Sequence, residues 1–215
     1  MSLAAFAYAD FGLGVETATS IEGLAQIHRP DCAAVVWNRT PLARFQTWID
    51  GLSPNDLPSA RIIIPPHAIR EAVVKVFDMA GTPECHERAL LADDIAALAH
   101  AFAGIASAPL LRVRLDVVKT DACRKFHVDA VKVRLICTYR GPGTQYGFST
   151  DGTEPEHILV APTGAPMVLR GDLWPETPRQ GLLHRSPPMS GSGDARLVLV
   201  LDPAEAPDAE PVALR

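Results

Sequence analysis

The sequence predicts an α+β fold in which N-terminal helices brace a β-sandwich or barrel built by the C-terminal half. Three observations carry that expectation. Apolar residues recur at helical spacing up to residue 108 and alternate with polar ones after it. Gly and Pro turns, led by Gly141-Pro142-Gly143, cut the second half into short strands. The 215 residues suffice for one substantial core and leave little room for two. Residues 1–202 are therefore expected to form one domain, with 1–108 a mainly helical flank and 109–202 a β-barrel core. The double-sheet jelly roll is one closed form of such a core.

The first predicted helix covers 41–51, where Pro41 suits a first turn and Gly51 stops it. In 66–80, Ile69, Val73, Val76 and Phe77 fall on one helical face and Gly81 closes the segment. The Ala- and Leu-rich stretch 87–106 predicts a third helix, and 33–37 and 61–64 predict short strands. In LLRVRLDVVKT, Leu111, Val113, Leu115 and Val117 alternate with Arg112, Arg114 and Asp116, as on a half-buried strand. A long strand, straight or bent, is expected over 126–139, and shorter ones over 157–160, 167–170, 182–186 and 196–202. The Pro-, Ala- and acid-rich tail 203–215 is expected to be flexible.

A net charge of −5 and a pI of about 5.8 argue against a nucleic-acid partner, which calls for a basic face. No apolar run reaches the ~20 residues that cross a bilayer. The N-terminus lacks a basic region and carries Asp10, so no secretory leader is expected. Cys32, Cys85, Cys123 and Cys137 are scattered without a CxxC pair, which fits free thiols in a reducing cytoplasm.

Chemistry concentrates in CRKFHVDAVKVRL. Residues i and i+2 of a strand share a face, so His127 and Asp129 would converge, and that face continues with Val131, Val133, Leu135 and Cys137. A carboxylate at an apolar face needs a partner, and a divalent cation would serve. His184, in LLHRSPP, supplies a third ligand if a late strand lies beside this one. Two imidazoles and one carboxylate form a facial set with open positions, suited to Fe(II) and also acceptable to zinc. Arg196 opens the apolar strand RLVLVLD and either grips a carboxylate bidentately or forms an ordinary ion pair. Thr138 and Tyr139 either donate hydrogen bonds to a bound carboxylate or pack at a barrel rim. Arg185 would point away from His184, Cys123 is either a soft ligand or a plain thiol, and Trp174 either roofs the pocket or anchors a loop.

His-Xaa-Asp, a gap, His and a following Arg together resemble the 2-oxoglutarate-dependent dioxygenase pattern. The resemblance implies a double-stranded β-helix braced by N-terminal helices. It also implies iron on His127, Asp129 and His184, and Arg196 on the distal carboxylate of 2-oxoglutarate. FHVDAVKVRLICTYRGPGTQY, GDLW and LLHRSPP further resemble the bacterial family called domain of unknown function 1826, which carries no assigned reaction. The expected function is an Fe(II)- and 2-oxoglutarate-dependent oxygenase. Its rivals are a zinc-handling protein without turnover and a cupin-like small-ligand binder.

Overall fold

The computed structural model describes residues 14–121, 123–149, 151–175, 181–189 and 194–205. The N-terminal segment before residue 14, which is not read as a secretory leader, and the tail from 206 onward lie outside them. Ten strands run in chain order: β1 (Gly14–Ala18), β2 (Cys32–Trp37), β3 (Ala60–Ile64), β4 (Leu110–Val118), β5 (Val133–Arg140), β6 (Gln145–Phe148), β7 (Leu159–Val160), β8 (Met167–Arg170), β9 (Leu182–Arg185) and β10 (Arg196–Ala204). The α-helices are α1 (Ala43–Gly51), α2 (Ile69–Ala80) and α3 (His86–Ala106), with 3-10 turns at Glu22–His28 and Pro66–Ala68.

The strands form a seven-stranded sheet in the order β1-β2-β8-β5-β10-β4-β3 and a three-stranded sheet in the order β7-β6-β9. Alternation along each strand gives the large sheet two different faces. On its outer face Leu111, Val113, Leu115, Leu135, Leu197 and Leu199 pack with helical residues that include Ile69, Phe77, Leu91, Ile95 and Phe102. Its inner face carries Ile136, Met167, Leu169, Val198 and Val200, which meet Tyr146, Phe148 and Leu182 of the small sheet. The chain is therefore a two-sheet α+β structure with the helices on one side.

Helix α3 is long and apolar enough to cross a membrane by length and composition. In this fold its Leu91, Ile95, Leu98 and Phe102 are fully buried in the core, each worth roughly 1.5–3 kcal/mol of removed apolar surface. Helix α2 ends where the sequence says it should, with Gly81 left-handed at φ 71.

Several expectations are corrected. The strands expected over 33–37 and 61–64 form as β2 and β3, but with β1 they join the large sheet as three of its seven strands instead of standing apart in a helical flank. Strands β1 and β6 had no clear alternation to reveal them: GVETA is short and polar, and QYGF is interrupted by a glycine. The strand expected over 126–139 begins only at Val133, because 130–132 form a bend. Pro203 and Ala204 continue β10 instead of opening a flexible tail, paired with Leu111 and Leu110 of β4.

Candidate metal centre

The bend at 130–132 decides where the site lies. Val133, Leu135 and Cys137 face the helices, so they do not extend the face of His127 and Asp129 as a straight strand would require. Arg134, on the opposite face of β5 from these residues, points inward and reaches Asp129. The ligand segment is fixed by the turn after β8. Asp172 N–H donates to Asp129 O at 2.9 Å, Leu173 N–H to Val131 O at 3.1 Å, and Gly171 N–H to Lys132 O at 2.8 Å. A Cβ on Gly171 would lie 2.0 Å from Val131 O and 2.7 Å from Asp129 O, so only glycine allows this approach.

His127 and His184 face each other as an isolated antiparallel pair. His127 N–H donates to His184 O at 3.1 Å, and His184 N–H donates to His127 O at 3.0 Å. Their rings stand 4.6 Å apart, and Asp129 completes the group. One donor atom from each of the three residues lies within 4.8 Å of the others.

Proton placement tests whether a cation fits. The Lys125 carbonyl can only accept, so His127 Nδ1, 2.9 Å from it, carries the hydrogen. In the neutral ring Nε2 is then a bare lone pair, and it stands 3.5 Å from Asp129 Oδ1. Two acceptors face each other unless a proton or a metal ion lies between them. Asp129 Oδ2 is 3.0 Å from His184 Nε2, yet it is buried and lacks an aligned hydrogen-bond donor. Neighbouring ligands of an ion with ~2.1 Å bonds sit ~3.0 Å apart in octahedral and ~3.4 Å apart in tetrahedral geometry, so gaps of 3.0 and 3.5 Å suit coordination.

The charges agree. Burial alone would raise the Asp129 carboxyl, but the contacts with both histidines and the Arg134 charge outweigh it and hold it well below the usual range. The contact with Asp129 raises His127 despite partial burial, while burial lowers His184 and keeps it neutral, the form that binds metal. Arg134 anchors the carboxylate at 2.5 Å through Oδ1 and is itself held by Asp202 at 2.6 and 2.8 Å.

Arg196 opens into the same cavity, of about 680 Å³ between the sheets. It is 2% exposed, and no carboxylate pairs with it among the described residues. Its Nε donates to Pro142 O at 2.8 Å, Nη1 to Ser186 Oγ at 3.1 Å, and Nη2 to Thr138 and Thr144 Oγ1, each at 2.8 Å. Burial lowers its pKa to about 10. The turn that places Pro142 depends on Gly141, at φ 78 with Arg196 Cβ only 3.3 Å from where its own Cβ would be.

Residues 18–202 match the family described as "Protein of unknown function (DUF1826)". The chain belongs to this family. No curated protein matches it. Among solved structures, it is similar to dioxygenase for auxin oxidation 1 from Arabidopsis thaliana in a binary complex with 2-oxoglutarate. The identity is 12% and the TM-score 0.53, over 92% of this chain and 95% of that one. It is also similar to a Pseudomonas putida prolyl-4-hydroxylase, at 13% identity and TM-score 0.44 over 87% and 100% of the two chains. The dioxygenase for auxin oxidation in rice gives 12% identity and 0.45 over 88% and 82%. The first likeness shows a shared fold of the dioxygenase type.

The other sequence candidates are sorted by strand alternation. Thr138 faces the cavity beside Arg196. Tyr139 does not: it lies at a bulge in β5, packs on Phe45, and its hydroxyl donates to Asp94 Oδ2 at 2.6 Å on the helix side. Trp174 stacks with His28 and under Arg170 in the outer core, away from the cavity. Cys123 and Arg185 line the cavity, but Cys123 lies outside the three-residue cluster and Arg185 pairs with Glu154 at 3.1 Å. Arg134, Thr144, Ser186 and Gly171 escaped sequence reasoning. Arg134 alone had a signal, its placement seven residues after His127, which the straight-strand assumption misdirected.

Proposed function

We propose that the protein is a non-haem Fe(II)- and 2-oxoglutarate-dependent oxygenase whose two sheets close as a double-stranded β-helix. The observation that carries this reading is Arg196: a buried cation with no carboxylate partner among the described residues, opening into the cavity that holds a His/Asp/His cluster. A buried cation held only by neutral acceptors is costly unless an anion completes it.

His127, Asp129 and His184 would hold the iron, leaving positions on its other side open. When bound, iron with 2-oxoglutarate and O2 supplies oxidising power that no side chain possesses. The chain's own residues orient and shield. Arg134 fixes the Asp129 carboxylate, and Lys125 O fixes the His127 tautomer. Arg196 would take the far carboxylate of 2-oxoglutarate, with Thr138, Thr144 and Ser186 holding its guanidinium. Ile136, Val198 and Val200 line the cavity and keep water from it.

The test is metal analysis and 2-oxoglutarate titration of protein purified without an affinity tag. Iron binding, 2-oxoglutarate binding and conversion to succinate are expected. Asp129→Ala should lose the metal with the fold kept, because a core of this size does not depend on an ion. Tightly held zinc without 2-oxoglutarate binding would favour the metal-handling rival, since zinc accepts the same ligands. A bound small ligand without any metal would favour the cupin-like rival.

A further inference from the structure

The cavity contains more positive charge than the cofactors require. Its walls carry Arg61, Arg114, Lys119, Arg134, Arg185 and Arg196, against the carboxylates of Asp116 and Asp129. Asp202 and Glu154 reach three of these cations from outside the wall, leaving six positive groups facing four negative ones. A divalent ion and a dicarboxylate cosubstrate cancel one another, so the surplus persists with both bound.

The surplus is localised. Arg61 of β3 and Arg114 of β4 are direct cross-strand partners on the inner face, a like-charge pairing that ordinarily destabilises a sheet. Neither has a carboxylate closer than 3.7 Å among the described residues. Asp202, the nearest to Arg114, is already held by Arg134 at 2.6 and 2.8 Å. The Arg114 side chain is only 20% exposed, and its Nε is buried with no hydrogen-bond partner. Burial, and next the neighbouring Arg134, lower its pKa. Arg114 pairs with Val200 and Arg196 with Val118, four residues apart on β10, which places their Cα positions about 13 Å apart along the strand. The two arginines therefore enter the cavity at different points along the strand.

We propose that Arg114 and Arg61 form a second anion site, which takes a carboxylate or phosphate group of the primary substrate. The term substrate rests on the oxygenase reading, whereas the anion site does not. Arg114 supplies the inner donors through its Nη groups, whose carboxylate contacts are no closer than 3.7 Å. Arg61, 69% exposed, closes the site from the rim. Asp116, 3.7 Å from Arg61 and 3.9 Å from Arg114, lies between them and keeps both guanidiniums in place before the anion arrives.

Isothermal titration of the full chain with inorganic phosphate and with malonate, each alone, tests the site without metal or turnover. One probe should bind the wild type and Arg196→Gln with similar affinity. Arg114→Gln should weaken it at least tenfold and Arg114→Lys should restore part of the loss. Arg61→Gln, at the exposed rim, should weaken it several-fold even if Arg114→Gln fails to fold. Preference for phosphate points to a phosphate ester and preference for malonate to a carboxylate. Silence from both probes overturns the proposal. So does binding that survives in Arg114→Gln and disappears in Arg196→Gln. Failure of the oxygenase reading would appear separately, as 2-oxoglutarate binding that Arg196→Gln leaves unchanged.

Discussion

Replacing Arg196 by Met separates the cost of a buried cation from its use. The fall of its pKa from 12.5 to about 10 corresponds to about 3 kcal/mol against the charged form, which burial imposes. Methionine fills a similar volume and removes that cost. It also abandons contacts to Pro142, Ser186, Thr138 and Thr144, at about 1 kcal/mol each. The two effects nearly cancel, so the ligand-free variant should unfold within about 1–2 kcal/mol of the wild type. Binding has no such compensation. Truncating one partner of a buried charge pair costs roughly 2–5 kcal/mol, or a loss of about 30-fold to several-thousand-fold in 2-oxoglutarate affinity. Calorimetric titration of both proteins, beside urea denaturation, reads both quantities. Equal affinity in the two proteins would refute the role given to Arg196. A variant destabilised by far more than 2 kcal/mol would show that the guanidinium is structural.

Gly171→Ala should push the 129–131 backbone away from the turn and lower metal affinity at least tenfold with a smaller effect on folding, read by competition against a chelator; unchanged affinity would show that the segment tolerates the shift. Asp94→Ala strips the bidentate partner of Arg39 and the acceptor of Tyr139 and should cost about 2–3 kcal/mol, seen as a fall of roughly 5–10 °C in Tm. A loss below 1 kcal/mol would mean that the network is solvated. Burial pushes the Cys32 thiol up to about 11 and Cys137 up to about 12, so below those values thiolate is scarce. At pH 8 both should react with a disulfide reagent about a hundredfold more slowly than exposed Cys123, and denaturant should abolish the difference.

Periodicity made the elements legible wherever one face is buried. The three helices and strands β2, β4, β8 and β10 fall within a few residues of where alternation and capping put them. Long-range pairing was not legible. Nothing in GVETA says that it lies parallel to β2, and nothing in ARIII says that Arg61 meets Arg114. The site was readable because few residue types can hold a cation, and His127, Asp129 and His184 come together. Their geometry was not readable, because it depends on a bend that no Gly or Pro marks. Assuming a straight strand left Tyr139 as a ligand candidate, whereas after the bend alternation keeps it with Leu135 and Cys137 on the helix side, where its hydroxyl reaches Asp94.

The mutual backbone pairing of His127 and His184 has a mechanical consequence. His184 belongs to the small sheet through β9, whereas Asp129 is tied through Arg134 to Asp202 of the large one. An ion gripping all three would therefore rivet the sandwich at one end. Stripping it should let that end breathe, with faster amide exchange at His127 and His184 than in the helix-covered centre. The protein would then lose its grip on cation and cosubstrate together.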